Sequence, residues 1–373
     1  MLLKAAGCIV SYWFEQMNYT YKKIWHNAYP VMMSILIEQQ INITDAMFLG
    51  HVGDVELGAS ALAGIWFLAI YMLGFGFSLG LQVVIARRNG EQQYAETGKT
   101  FFQGLFFLLI LAVLLCLLSK IFSPVLLKHL ITSDDVYNAV IRYLDWRIWG
   151  LLFSFPFLAL RSFLVGITQT KALNMAAFTA VLMNIPMNWL LIFGLDMGIS
   201  GVAIASSFAE MCSLAVLAAY MFRHIDKKAY GLYWHIDITI LKEVFSISVW
   251  SMLQFFTSVA IWFLFFVAIE RLGETELAVS NIVRSVSALF SVIVNALAGV
   301  TGSLVSNLIG AGEKKQVFPL CHKIIRLGYA IGIPLIVFAL FFHQHIIGAY
   351  TENPAIIQLA WPPFLVMLLN YFF

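Results

Sequence analysis

The chain has 373 residues, of which 61% are hydrophobic and 11% charged, whereas a soluble domain carries roughly 25% charged residues. This composition excludes a soluble globular protein and predicts a polytopic membrane protein with only helices in its membrane part. The formal net charge is +2, which gives no reason to expect a nucleic-acid partner.

Residues 1–27 are predicted to be an N-terminal segment on the cytoplasmic side. The stretch 1–16 contains a short apolar patch with one lysine and no convincing cleavage site, so a signal peptide is not expected. A misassigned start over 1–16, with initiation at Met17, is the preferred interpretation. The four cysteines are scattered without metal-ligand spacing, so neither disulfides nor a zinc site are expected.

Apolar runs of membrane-spanning length recur along the rest of the chain, since a helix needs about 20 residues to cross about 30 Å of hydrocarbon. Ten spans are predicted, at 28–50, 59–86, 100–122, 139–162, 174–194, 199–222, 244–269, 279–307, 320–342 and 355–373. The N-terminus and the loops after the second, fourth, sixth and eighth spans hold most of the Lys and Arg residues. The positive-inside rule therefore predicts a cytoplasmic N-terminus.

A repeat predicts two lobes of like orientation. VGDVELGAS at 52–60 matches LGETELAVS at 272–280, and ARRNGE at 86–91 matches LIGAGE at 308–313, at nearly the same offset. Parallel repeats of this kind are related by an axis along the membrane normal and enclose a cavity. The alternative is that unconnected loops share common turn residues.

The predicted domains are an N-lobe of six spans, a cytoplasmic linker and a C-lobe of four spans, at 28–222, 223–243 and 244–373. An interfacial amphipathic segment is expected within the linker, over 230–241. Position 373 corresponds through the repeat to about position 151. The C-lobe is therefore expected to lack two helices, as in a truncated chain.

Polar residues inside the first span are the main functional candidates. Glu38, Asn42 and Asp45 follow at spacings of four and three, which places them on one helical face. A carboxylate inside a span costs about 2.5 to 3.5 kcal/mol on insertion scales, so it usually faces water, an ion or a partner. Asp45 is the preferred ion site, and the alternative is an aspartate wetted at the helix end. Glu38 is either a second titrating group or half of an ion pair.

The fifth span carries a second polar face. Asn184 and Asn188 are four positions apart, and Pro186 between them frees the carbonyl of Leu182 from its helical hydrogen bond. This face provides oxygens for a cation, although amides that join two helices are the alternative.

Other polar residues receive weaker assignments. The remaining polar candidates for a cleft are Gln40, Asn42 and Gln254, whereas Arg161, Glu210 and Arg284 are interpreted as structural partners or anchors at helix ends.

Four segments together resemble the MATE (multidrug and toxic compound extrusion) family, in its bacterial branch. They are Pro30 with NITDAMFLG, GFGFSLGLQVVIARRNGE closing the second span, MNIPMNWLLIFG in the fifth, and SNIVRS with LVSNLIGAGE around the eighth. The resemblance implies a twelve-helix fold of two lobes around a V-shaped cleft, of which about ten helices are present here. It also implies exchange of organic cations for sodium ions or protons.

The resemblance also implies a cation site in the first lobe. Asp45 resembles the binding aspartate of the family, the Asn184 and Asn188 face is expected to lie against it, and Ser206 stands where a hydroxyl ligand is expected. Some members have a second aspartate at the position of Asn188, so this site carries less negative charge. Sodium at Asp45 is the only metal ion expected. Phe265 occupies the matching position of the second lobe, so coupling is expected in the first.

The predicted function is export of small organic cations or drugs by alternating access, coupled to protons or sodium ions. A lipid-linked oligosaccharide flippase and a non-transporting remnant are the alternatives. No HExxH motif occurs and the carboxylates inside the spans are too dispersed for an obvious acid–base pair, so an enzyme is not expected. No cofactor besides the coupling ion is expected, and the protein is predicted to be a monomer in contact with lipid in a bacterial inner membrane.

Overall fold

The computed structural model describes residues 19–131, 133–234, 237–270, 274–348 and 354–371. These residues form helices joined by short connections, with no strand among them. The helices are α1 Tyr21–Gly50, α2 Asp54–Gly90, α3 Tyr94–Leu130, α4 Asp134–Gly166, α5 Lys171–Gly194, α6 Gly198–His224, α7 Ile238–Glu270, α8 Glu274–Gly310, α9 Val317–Phe341, the short α10 His343–Gly348 and α11 Pro354–Asn370.

Ten of these helices coincide with the ten predicted spans, and most extend a few positions beyond the predicted ends. Eight of the helices in the described ranges are long and apolar enough to cross a membrane. Two helices contain irregular turns: a 3₁₀ turn at Ile148–Gly150 interrupts α4, and a π turn at Leu190–Gly194 closes α5. The all-helical fold class is confirmed.

The repeat is visible where α2 and α8 end. α2 ends at Gly90 and α8 ends at Gly310, and these two residues are separated by the same offset as VGDVELGAS and LGETELAVS. The matching segments therefore lie at equivalent positions along two helices, which supports a structural repeat over a coincidence of turn residues.

Glycines let α2 approach the C-lobe closely. A Cβ added at Gly76 would lie 2.6 Å from the Met252 Cα, and one at Gly80 would lie 2.7 Å from the Ser248 Cα. The Ser248 hydroxyl donates to the Phe77 carbonyl across the same contact, at 3.1 Å. Small residues on one face of a membrane helix permit this approach of backbones, so α2 packs directly on α7.

The C-terminal ends of α2 and α8 cross at a second pair of glycines. A Cβ at Gly90 would lie 2.8 Å from the Asn307 carbonyl carbon, and one at Gly310 would lie 3.1 Å from that of Arg87. Gly90 matches Gly310 and Arg87 matches Asn307 at the offset of the repeat, so the two contacts are equivalent. We call these four residues the glycine crossing.

Hydrogen bonds between the lobes gather at the same end of the molecule. The Asn89 amide donates to Asn307 Oδ1 at 2.7 Å, and Arg88 pairs with Glu243 at 2.7 Å. About two helical turns closer to the N-terminus of α2, Gln82 Nε2 donates to the Ser303 hydroxyl at 2.8 Å and to the Gly299 carbonyl at 2.7 Å. The two lobes are thus joined at the end opposite to the connection between α1 and α2.

The connection between α6 and α7 differs from the prediction. The expected amphipathic segment over 230–241 is wrong, because residues 226–234 form turns and α7 begins only at Ile238; residues 235–236 lie outside the described residues. Tyr230 instead packs against the rings of Tyr94 and Phe163, with centroids 5.3 and 5.7 Å away. Burial, with a smaller effect of Tyr94, raises the pKa of Tyr230 to about 12. Its hydroxyl therefore stays protonated and donates to Asn89.

Candidate functional site

Asp45 lies in the last two turns of α1 and turns its carboxylate toward α5 and α6. Its Oδ1 accepts from the Asn188 amide at 2.7 Å and from the Asn184 amide at 3.1 Å. Its Oδ2 accepts from the Ser206 hydroxyl at 2.5 Å. The structure therefore brings together the four residues that the sequence proposed for a cation site. We call them the Asp45 cluster.

The local helices explain why these groups meet. Asn184 and Asn188 are one turn apart on α5, so both amides point from the same face. Both are fully buried, and the Asn188 amide that donates to Asp45 also lies 3.1 Å from Asn184 Oδ1. Pro186 lies between them within the helix, and α5 loosens into its π turn just beyond. Irregular backbone of this kind often marks a functional position.

One oxygen in the Asp45 cluster has no partner among the described residues. Asn188 Oδ1 is buried and accepts no hydrogen bond from them. A buried acceptor without a donor is costly, about 1 to 3 kcal/mol, and it usually indicates an absent water, ion or ligand. Together with the Asp45 carboxylate and the Ser206 hydroxyl, this oxygen belongs to the ligand type that a hard cation prefers.

A partly buried ion pair lies beside the Asp45 cluster. Arg147 on α4 donates to both carboxylate oxygens of Glu210 on α6, at 2.6 and 3.0 Å, and the Ser154 hydroxyl donates to Glu210 at 2.7 Å. The Arg147 guanidinium carbon also lies 3.8 Å from the centroid of the Phe67 ring. Glu210 thus has Arg147 as its ion-pair partner, which agrees with the interpretation of Glu210 as a structural residue.

Arg147 is a residue that the sequence reasoning missed as a site neighbour. The sequence analysis gives Arg147 no role, although its position falls inside the predicted fourth span. A charged residue within a span is the signal that would have found it. Arg147 lies within electrostatic range of Asp45, but its charge is balanced by Glu210.

Glu38 is a solvent-accessible carboxylate on the same helix as Asp45. The charged groups with an electrostatic effect on Glu38 are Arg161 on α4 and Glu210 on α6. Within the described ranges, Glu38 makes neither a hydrogen bond nor an ion pair. The sequence left two interpretations of Glu38, a second titrating group or half of an ion pair. The described residues do not contain that ion pair.

The remaining candidates do not join the Asp45 cluster. Gln40 and Asn42 are exposed, and the Asn42 amide reaches only Gln39, at 3.5 Å. Gln254 is exposed on α7, and Phe265, which replaces the aspartate in the second lobe, is 46% exposed. The three cysteines in the described ranges, Cys116, Cys212 and Cys321, are free, while Cys8 lies outside them.

The fold and the site define a class of protein: a multi-pass helical membrane protein with two repeated lobes and a polar cluster inside the first. Comparison with known families gives the more particular result. The family model described as MatE matches residues 30–190 and 251–373, and the chain belongs to this family. The resemblance read from the sequence motifs is thereby confirmed.

Named relatives agree with this assignment. The chain is 24% identical over 353 residues to the probable multidrug resistance protein NorM of Shewanella oneidensis, covering 91% of this chain and 75% of the relative. It is 22% identical over 344 residues to the multidrug resistance protein NorM of Vibrio cholerae, covering 89% of this chain and 74% of the relative.

Solved structures share the fold. A MATE transporter in complex with MaD3S superposes with a TM-score of 0.86 at 20% identity, over 94% of this chain and 80% of that one. The eukaryotic MATE transporter AtDTX14 gives a TM-score of 0.84 at 18% identity, over 94% and 79%.

Proposed function

We propose that this protein exports organic cations or drugs in exchange for sodium ions or protons, by alternating access of its two lobes. Membership of the MatE family supports transport, and the names of the NorM relatives support multidrug substrates. The observation that carries the coupling mechanism is the Asp45 cluster, a carboxylate held by three donors inside the N-lobe.

The hydrogen bonds of the Asp45 cluster are those expected for an ionised carboxylate that can bind a cation. Two amide N–H groups and one hydroxyl donate to Asp45, which balances part of its charge without a positive side chain in contact. A proton bound to Oδ2 would reverse the hydrogen bond with Ser206. A sodium ion would use the carboxylate, the free Asn188 oxygen and the Ser206 oxygen. Either ion competes with the donors for the same lone pairs, so binding rearranges α1 against α5 and α6.

The driving force follows from charge. Moving one positive charge out against the membrane potential costs about 2.3 kcal/mol per 100 mV, and one ion moving in returns the same amount. A one-for-one exchange is therefore driven by the ion gradient alone. Binding of the ion stabilises one arrangement of the lobes and binding of the drug stabilises the other.

The contacts between the lobes support a state that is open at one end. The glycine crossing and the amide contacts join the lobes at the C-terminal ends of α2 and α8. The C-terminal end of α1, which carries Asp45, lies toward the opposite end. With the N-terminus in the cytoplasm of a bacterial cell, as the basic residues predict, the joined ends lie on the cytoplasmic side and Asp45 lies toward the outside.

The charge of the N-lobe interior supports a cation over a lipid pyrophosphate. Arg147 is paired with Glu210, so Arg161, which is within electrostatic range of Glu38, remains as the one basic group without an ion-pair partner in the described interior of the N-lobe. A flippase for an anionic carrier needs several free basic groups, so the structure offers it little support.

Efflux in inverted vesicles, with sodium and pH gradients imposed separately, tests the proposal. We expect Asp45→Asn to abolish gradient-driven export of a fluorescent organic cation while the protein stays folded in the membrane. Asp145→Asn is the matched control, because Asp145 is half-exposed on α4 and pairs with Lys120 away from the cluster. Export that continues undiminished in Asp45→Asn would remove the site from the mechanism.

A further inference from the structure

The first turns of α1 and α9 carry basic residues in stretches of the chain that contain no acidic ones. Residues 19–37 and 314–348 have neither Asp nor Glu. Both helix starts lie at the end of the molecule where the lobes are joined, because α1 ends at the opposite end and α9 follows the C-terminal end of α8. Four basic side chains lie within the first three turns of these helices: Lys22, Lys23, Lys323 and Arg326.

Contacts with a single residue join the two helices. Tyr19 is buried directly before α1, and the Lys23 Nζ atom lies 5.0 Å from the centroid of its ring. The Lys323 ammonium group of α9 donates to the Tyr19 carbonyl at 3.0 Å. α1 belongs to the N-lobe and α9 to the C-lobe, so an ammonium group from each lobe reaches the same residue.

No described carboxylate pairs with three of these four basic groups. Lys22, Lys323 and Arg326 form no ion pair within 4.0 Å in the described ranges. Lys22 and Arg326 are exposed, whereas Lys23 and Lys323 are half-buried. Like charges held close together repel one another, most strongly where water is displaced. An anion bound at the junction of α1 and α9 therefore relieves this repulsion.

Aromatic rings on α1 place this junction at the level of lipid headgroups. Tyr21, Trp25 and Tyr29 follow at spacings of four, and each is exposed. The centroids of the Trp25 and Tyr29 rings are 5.7 Å apart. Trp and Tyr gather at the boundary between hydrocarbon and headgroups, and basic sites between membrane helices bind the headgroups of anionic lipids. The anion that fits the junction is thus the phosphate of a bilayer lipid.

We propose that the junction of α1 and α9 binds an anionic phospholipid of the bilayer, whose phosphate is held by Lys23 and Lys323 with Lys22 and Arg326 around it. Because the two holding lysines belong to different lobes, the lipid bridges the lobes at their joined end. The site is separate from the Asp45 cluster, which lies toward the other end of α1. It does not rest on the proposed export function, since lipid binding requires neither a substrate nor a coupling ion.

Native mass spectrometry of the purified full chain, released from detergent, measures this binding directly. Phosphatidylglycerol is titrated, and phosphatidylcholine with the same acyl chains is the comparison because its headgroup has no net charge. A basic residue near anionic lipid raises affinity about fivefold. We therefore expect the first phosphatidylglycerol to bind more than about tenfold tighter than the first phosphatidylcholine.

Substitutions separate charge from hydrogen bonding. Lys23→Gln and Lys323→Gln should each weaken the first phosphatidylglycerol about fivefold, and together about 25-fold. Lys323→Gln keeps an N–H donor for the Tyr19 carbonyl, and Lys323→Arg should stay within about twofold of the unmodified protein because it keeps the charge. Arg326→Gln removes an exposed charge of the C-lobe and should also cost about fivefold. Lys227→Gln is the matched control, since the Lys227 Nζ atom also lies 5.0 Å from an aromatic centroid, at the end of α6 and within one lobe.

The other outcomes overturn the proposal. A loss of affinity in only one of Lys23→Gln and Lys323→Gln, or in neither, would mean that no lipid bridges the lobes. An equal loss in Lys227→Gln would mean that the lipid follows general surface charge. Equal affinity for phosphatidylcholine would exclude recognition of the negative charge. Glycerol phosphate that competes at the same concentration as the lipid would make the ligand a soluble anion.

Discussion

The glycine crossing makes the alternation between two states directly testable. Gly90→Ala and Gly310→Ala each place a methyl group against the backbone of the other helix, 2.8 Å from a carbonyl carbon in the first case and 3.0 Å from the Glu91 nitrogen in the second. Backbone atoms cannot move aside as a side chain can. The substitution therefore penalises only the state in which these helix ends touch.

The magnitude follows from the packing. Overfilling a well-packed contact costs about 1 to 3 kcal/mol, and about 1.4 kcal/mol corresponds to a factor of ten in an equilibrium. We therefore expect each substitution to favour the state with separated ends by about five- to a hundredfold. Because the two contacts are equivalent through the repeat, both substitutions should shift the equilibrium in the same direction.

Distances between spin labels measure this shift. Labels at the exposed Gln93 and Lys314 report the separation of the two ends, after replacement of the native cysteines. A longer distance should gain population in both variants. Gly64→Ala is the control, since Gly64 lies on α2 with open space where a Cβ would be added. An unchanged distance distribution in both variants would refute the crossing as the contact that holds the lobes together.

Three further predictions concern the site and the contact between the lobes. Asn188→Ala removes a 2.7 Å donor to Asp45 and the unpartnered oxygen. The concentration of coupling ion needed for half-maximal export should therefore change about tenfold. Asn174→Ala is the control, and the same ion dependence in both variants would contradict this prediction. Glu210→Gln leaves Arg147 uncompensated and should lower the free energy of unfolding by less than the about 3 to 5 kcal/mol of a fully buried pair, because Glu210 is 26% exposed. Thermal melting in detergent should show that the Arg147→Gln, Glu210→Gln double variant recovers part of this stability. No recovery would count against the ion pair. Ser303→Ala removes a 2.8 Å hydrogen bond with Gln82 and should raise the population of the longer label distance severalfold less than Gly90→Ala does. An equal or larger rise would contradict the view that the glycine crossing contributes more than this hydrogen bond.

The sequence predicts the helices well because their signal is local. Apolar runs of fixed length leave little choice of structure in a membrane, and the ten predicted spans correspond to ten helices. The repeat also follows from short matching loops at helix boundaries. The helical spacing of Asn184 and Asn188 places both amides on one face, and the resemblance to the MATE family places Asp45 opposite them.

Features that depend on contacts between distant segments could not be predicted in the same way. Arg147 is an ordinary basic residue in a count of charges, and only the fold brings it to Glu210, 63 residues away. The connection around Tyr230 has the composition of an interfacial helix, but its rings pack on α3 and α4 instead. The unpartnered Asn188 oxygen is a consequence of how three helices meet.

Competition between ion and drug at equilibrium is the most direct test of the central claim that Asp45 exchanges its ion as the drug binds. Binding of a fluorescent organic cation to the protein in nanodiscs is measured while the sodium concentration and the pH are varied one at a time. The account predicts that one of these ions weakens drug binding in the unmodified protein and in Asp145→Asn, and that Asp45→Asn binds the drug independently of both. An Asp45→Asn protein with the full ion dependence of the unmodified one would contradict it.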